Sequence, residues 1–391
     1  MKYYLYDKKT KKINKKRLLK VLLIAFIIVA IIAIILAYKL NENFKEFFDK
    51  NILRKEITQE NTVKIEINSN NNPSIYAYYR YITILDRNIL EVYTNSSNPD
   101  YELEVAITNP IYASNNRFLV VAEKEGSKIY LIEQNNIVWQ KDVEGKISKV
   151  NVNKNGYVSI VVSNAGYKAV ILTLDPDGTE LFKTYLGTTY ALDVDISNDN
   201  KYLAIAEADT SGTYVQCNIK IISMDLARTQ PSNSVIQTFK ADSRDVVTKI
   251  NYQTKNNLVC MYDSNISVIQ GDQNNKIQEF GSDVLFADIN LEEYIATIIR
   301  KPANIIQLEY QLKMRNIINN KENVLILETL PKAIYAYDNI VAINYGTSVD
   351  FVNTNGWVLK KYKSSQEINS IVLNNNVAGI IYKDRIELIN L

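Results

Sequence analysis

The chain has 391 residues, 47% of them hydrophobic, with only 12 Gly and 7 Pro, which excludes collagen-like and low-complexity chains and allows a sizeable core. The formal net charge is +2, but residues 1–20 hold nine Lys or Arg against one Asp, so the remainder is mildly acidic and lacks the basic face that nucleic-acid binding needs. His is absent, which rules out a Ser-His-Asp triad, a Cys-His pair, His-ligated zinc and imidazole acid–base chemistry, and two Cys are too few for a disulfide scaffold.

Residues 1–20 read as a basic cytoplasmic tail. Val21 to Tyr38 is an uncharged apolar run bracketed by Lys20 and Lys39. At 1.5 Å per residue it spans about 27 Å as a helix, close to the hydrocarbon thickness of a bilayer. The run is longer than a signal-peptide core, and the ILAYKLNEN that follows has bulky residues where cleavage needs small ones. An uncleaved single span, a signal-anchor, is therefore expected. Positive charge stays on the cytoplasmic side, so the expected topology puts the N-terminus inside the cell membrane and the rest of the chain outside. Phe44, Phe47, Phe48, Ile52 and Leu53 recur with helical spacing and predict an amphipathic stalk over residues 39–61.

From residue 62 to 391 strand-like runs of β-branched and aromatic residues alternate with turn signals. One pattern recurs: a strand, a polar turn, then an apolar strand. It is seen in VNVNKNGYVSIVVSN (150–164), VDISNDNKYLAIAEA (194–208), INYQTKNNLVCMYD (250–263) and SIVLNNNVAGIIYK (370–383). The first core residue of each apolar strand is Ile82, Phe118, Val158, Leu203, Leu258, Ile295, Ile340 or Val377. A spacing of about 40 residues with four short strands per unit is the signature of propeller blades. The final unit supplies only three strands, and TVKIEINSN (62–70) is an orphan strand at the other end. Pairing the two closes the ring and removes two exposed edges. The predicted fold is an all-β propeller preceded by one transmembrane helix, with eight blades, seven being the alternative count and a pair of β-sandwiches the alternative architecture. Trp139, Phe182 and Trp357 fall at similar places in the predicted fourth strands and read as packing wedges.

This layout, over residues 17–391, resembles a clostridial and related Firmicutes family of membrane-anchored propeller-like proteins, and the repeats are similar to bacterial propellers of the quinoprotein and WD40-like kind. The Gly-His and Trp-Asp dipeptides of WD40 repeats and the tryptophan docking motifs of quinoprotein dehydrogenases are absent, so the resemblance implies a fold and a topology and no chemistry.

No residue set reads as catalytic, cofactor-binding or metal-binding. Asp175, Asp177 and Thr179 have some calcium-loop flavour but lack the closing Glu, and Asp-Gly is itself a hairpin signal. Glu292 and Glu293 are adjacent on a predicted turn and point apart, which disfavours shared acid–base work. Asp242, Arg244 and Asp245 read as a solvated salt cluster. Cys217 and Cys260 fall in neighbouring blades, where a disulfide is conceivable and a buried apolar role is the simpler reading. The excursions 223–237, which stretches the Leu203–Leu258 spacing to 55 residues, and 313–323 are the surface candidates for partner contact. The excess of Asn and Lys is what an AT-rich genome alone would produce. The expected function is a non-catalytic, membrane-tethered binding scaffold whose partner is an envelope protein or cell-wall component. A ligand-sensing or quinoprotein-like enzymatic propeller is the alternative.

Overall fold

The computed structural model describes residues 15–40, 48, 56–58, 62–242, 244–302 and 307–391, and the chain divides into two units, 1–55 and 56–391. In the first unit Lys15–Leu40 is one α-helix of 26 residues. Its stretch Leu22–Leu40 is long and apolar enough to cross a membrane, and side chains such as Leu22, Phe26 and Val29 are exposed. Of the five apolar residues that define the predicted stalk only Phe48 is described, with its ring 5.7 Å from that of Tyr38. The others, and residues 1–14 of the tail, lie outside the described residues.

In the second unit the described strands form eight sheets. Seven come from consecutive segments: 74–104, 110–142, 146–186, 189–240, 247–279, 284–327 and 333–363, numbered blades 1 to 7. Blade 8 combines Ser370–Leu373, Val377–Ile381 and Arg385–Asn390 with Val63–Glu66, which pairs antiparallel to the last of them through Val63–Leu388 and Ile65–Ile386. The orphan strand therefore closes the ring as its spacing predicts. First strands of neighbouring blades approach one another and line the axis.

The core lies in the seams. Each of eight buried apolar clusters joins one pair of adjacent blades, and the ring closes with Ile65, Val377, Ile386 and Leu388 of blade 8 against Ile82, Ile84 and Tyr93 of blade 1. Second strands are buried on both faces and so read as continuous apolar runs. In blade 2, Phe118, Val120 and Ala122 face blade 3 while Leu119 and Val121 face blade 1. All eight predicted repeat residues, Ile82 through Val377, are buried in second strands. Each fully buried side chain of this size contributes roughly 1.5–3 kcal/mol.

Trp139 and Phe182 behave as wedges in the fourth strands of blades 2 and 3. The Trp139 indole donates Nε1–H to the Pro176 carbonyl of the next blade, 3.0 Å away. It rests on Gly178, whose φ of +81° suits the Asp-Gly hairpin and where a Cβ would sit 2.9 Å from the indole. Gly178→Ala is expected to cost about 1–3 kcal/mol through strain and overpacking, read by urea unfolding of the full-length chain. An unchanged midpoint would show that the seam yields at no cost.

Two expectations need correction, and one excursion holds more regular structure than a loop. Trp357 is not a wedge: it ends the turn before the fourth strand Val358–Lys363 and is 58% exposed. Gly356 (φ +83°) closes that turn two residues before the strand begins. Glu56–Thr58, assigned by sequence to the stalk, is a strand that pairs parallel with Lys361–Lys363 and becomes a fifth strand of blade 7. The excursion 223–237 contains a short helix, Met224–Thr229, capped by Ser223 Oγ and packed through Met224 and Ala227 on blade 3.

Candidate functional site

The turn carrying Asp175, Asp177 and Thr179 is a hairpin. Asp175 Oδ1 accepts from the Asp177 and Thr179 N–H groups at 3.1 and 2.8 Å, so that carboxylate is occupied by its own backbone. Cys217 and Cys260 are both free thiols, buried in the one cluster that fills the seam between blades 4 and 5, and burial raises the pKa of each. Of the fifth-unit charges, Asp242 pairs with Lys276 at 2.9 Å, Asp245 accepts from Asn265 Nδ2 at 2.8 Å, and Arg244 lies over the Tyr214 ring at 4.6 Å. In blade 3, exposed Tyr167 and Tyr185 meet at a tilt with ring centroids 4.8 Å apart. The 313–323 excursion is mostly strand: Leu308–Asn316 runs on, and a tight turn leads into the outer strand Glu322–Leu327. Among the described residues no group of three or more His, Cys, Asp or Glu is placed to hold a metal ion.

Two polar systems around the axis were not anticipated. The first is a ladder on the innermost strands. Asp193 of blade 4 accepts from the Ile250 N–H of blade 5 at 2.8 Å, and Asp195 accepts from Tyr252 N–H at 2.6 Å. Asp288 of blade 6 accepts from Ala336 N–H of blade 7 at 3.1 Å. In blade 3, Lys149 pairs with Asp193 at 2.8 Å and Asn151 Nδ2 donates to Asp195 at 3.0 Å. These side chains satisfy backbone donors that a propeller otherwise leaves facing its channel. Burial pushes the Asp195 carboxyl up to about 7, helped by the neighbouring Asp193 and opposed by its N–H donors and Lys249. Burial also raises Asp288.

The second system is a ring of turns between first and second strands. Asn153 and Asn155 of blade 3 reach Ser197, Asn198 and Asn200 of blade 4. Asn198 reaches Gln253 O of blade 5, and Gln253 reaches Ile289 O of blade 6. Asn376 of blade 8 donates to Tyr79 O of blade 1, which in turn donates N–H to Asn116 O of blade 2. Asn116 N–H then donates to the Tyr337 hydroxyl at 3.1 Å. Blades 2 and 7 are not neighbours, so this bond bridges part of the channel at that end. Here Glu292 does meet a carboxylate from another blade, with Glu293 a lesser influence. It faces Asp338 of blade 7, and burial followed by that contact raises its pKa, against the pull of Lys154 from blade 3. The Asn-rich composition thus has structural use in the turns that stitch blades together.

The sequence profile of the family of unknown function DUF5711 matches residues 51–391, and the chain belongs to that family. No curated protein matches the sequence. Among solved structures the chain is similar to BamB from Moraxella catarrhalis, with 9% identity and a TM-score of 0.48 over 84% of this chain and 98% of that one. It is also similar to Raptor from Chaetomium thermophilum, with 10% identity and a TM-score of 0.49 over 88% and 30%, and to apo AztD from Citrobacter koseri, with 9% identity and a TM-score of 0.47 over 75% and 86%.

Proposed function

We propose that this DUF5711 member is a non-catalytic binding scaffold of the cell envelope, a propeller outside the cell membrane held by a single N-terminal span, with an envelope protein or wall component as partner. The observation that carries the reading is a closed eight-blade ring joined in one chain to a helix apolar enough to span a bilayer. The carboxylates of the ladder on the innermost strands accept from backbone N–H groups, which is a structural use. The complete lack of His removes the commonest acid–base group.

The topology is tested with Lys141→Cys, an exposed position on the outer strand of blade 2, while native Cys217 and Cys260 are buried. A membrane-impermeant maleimide is expected to label this variant in intact cells. Labelling only after lysis would place the propeller inside and sink the localisation. The scaffold role is tested on purified full-length protein by mass spectrometry under native conditions. A stoichiometric retained cofactor would overturn it in favour of an enzymatic propeller.

A further inference from the structure

We infer that the rim of blade 6 is a strand-acceptor site, taking an extended segment of another protein with apolar residues at alternate positions and Lys or Arg at both ends. The inference rests on the scaffold reading and names the surface and the chemistry of its partner. The outer strand Glu322–Leu327 is the edge of its sheet, with no strand beyond it among the described residues. Such an edge offers a row of backbone donors and acceptors that another strand can complete. Side chains alternate across a strand, so one face carries Glu322, Val324 and Ile326, with Glu328 at the next alternate position. Val324 is 48% and Ile326 62% exposed.

The other rims differ. Charged residues interrupt the outer strands of blades 1, 2, 3, 5 and 8. Blade 4 exposes Val235 and Ile236, but these are consecutive and point to opposite faces. Blade 7 has its edge covered by the chain's own Glu56–Thr58. The neighbouring rim thus already shows a short strand laid on a propeller edge. Beside the blade 6 strip stands the turn of exposed Trp357, tied to it by Asn323 Nδ2 donating to Thr354 O at 2.8 Å.

Charge decides between occupants. In a second copy of this chain paired antiparallel with apolar faces in register, Ile326 would oppose the other Val324, and Glu322 would oppose the other Glu328 at both ends. Like charges directly opposite are destabilising in a strand pair. A strand with basic ends meets the same two carboxylates favourably. Glu328 is open for this, its side chain 83% exposed and paired with Lys361 at 2.9 Å, while Glu322 pairs with Arg315 at 2.6 Å and Lys313 at 3.5 Å, so a basic strand end would share these carboxylates with the chain's own cations.

The test uses the full-length chain in nanodiscs and fluorescence anisotropy. The probe is a labelled peptide Lys-Thr-Val-Thr-Ile-Thr-Lys, and its control has the same composition as Lys-Val-Ile-Thr-Thr-Thr-Lys, which puts its two apolar residues on opposite faces. The alternating peptide is expected to bind at least about tenfold more tightly than the control. Ile326→Lys should remove that preference, while Ile236→Lys on blade 4 should keep it. Both are exposed positions, so unfolding is not expected, and thermal melting checks it. Equal binding of the two peptides, no binding by either, or an unchanged preference in Ile326→Lys overturns the inference. So does chain–chain association in sedimentation that Ile326→Lys abolishes, which would give the strip to a second copy. A retained cofactor alongside peptide preference would sink the scaffold reading and leave the strip intact; no peptide preference without a cofactor would sink the strip alone.

Discussion

Replacing Glu387 with Ala is expected to destabilise the propeller by about 3–5 kcal/mol, because it breaks a buried ion pair and leaves the other partner behind. Glu387 is fully buried in the third strand of blade 8. Its Oε1 accepts from Arg385 Nε at 2.8 Å, and its Oε2 accepts from the Tyr362 and Thr62 hydroxyls, each at 2.8 Å. Those three donors lie on blade 8 itself, on the fourth strand of blade 7, and just before the closing strand Val63–Glu66. One carboxylate thus fastens the four-residue strand on which closure depends and ties it to the neighbouring blade. Arg385, with its side chain 15% exposed and its guanidinium 4.0 Å from the centroid of the Tyr382 ring, would keep only Gln366 and the exposed Asp384. Urea unfolding followed by the fluorescence of buried Trp139 measures the loss. Glu387→Gln, which keeps an acceptor oxygen and loses the charge, should fall between wild type and Ala. If Ala costs less than about 1 kcal/mol, the network is not what closes the ring.

The closing strand was legible in the sequence because two facts met: a final unit one strand short and a strand without a unit. The second strands were legible because burial on both faces leaves no polar position in stretches such as Phe118–Ala122. The strand Glu56–Thr58 was not legible, since three residues carry no period and its partner lies about 300 residues away in sequence. Trp357 misled because it stands next to a fourth strand without being in it: Val358–Lys363 begins one residue later, whereas Trp139 and Phe182 lie inside Asn136–Asp142 and Glu180–Leu186. The axial ladder was visible as alternating polar residues, Asn151 with Asn153 and Asp193 with Asp195. The same alternation describes a strand with one face in water, so it could not by itself reveal that the polar face meets the next blade's backbone. Glu292 was read beside its sequence neighbour, whereas its electrostatic partner Asp338 comes from another blade. Apart from the local boundary at Trp357, what escaped the sequence is a contact between distant segments, and what was legible is local or a matter of counting.

The stability of the propeller is expected to fall as pH rises from about 4 to above 7, with Asp195 responsible for a share on the order of a few kcal/mol. Its carboxyl sits at about 7 in the folded chain and near the ordinary 3.8 in the unfolded one. Between those values the native state holds a proton that the unfolded state has released. The unfolding free energy therefore declines with increasing pH through that window, and Asp195's contribution is complete only below the lower value. The cause is desolvation first and the neighbouring Asp193 second, while the Tyr252 and Ile196 N–H groups and Lys249 hold the rise in check. Asp288, raised in the same direction, adds to the slope. Asp195→Asn removes the ionisation and keeps one carbonyl acceptor, but it loses an acceptor for either Ile196 or Tyr252 N–H, a cost of about 1–3 kcal/mol at all pH values. The informative quantity is therefore the slope. Unfolding free energies at pH 4.5 and 7.5 should differ less in Asp195→Asn than in wild type, with the residual slope due to Asp288 and other carboxyls. Parallel pH profiles for the two proteins would mean that Asp195 stays ionised in the fold, held by its N–H donors, and that the seam between blades 4 and 5 does not sense pH. A smaller slope in the variant would instead make that seam sensitive to alkaline surroundings, because the same carboxylate that anchors the blade 5 inner strand is the one forced to carry a buried charge.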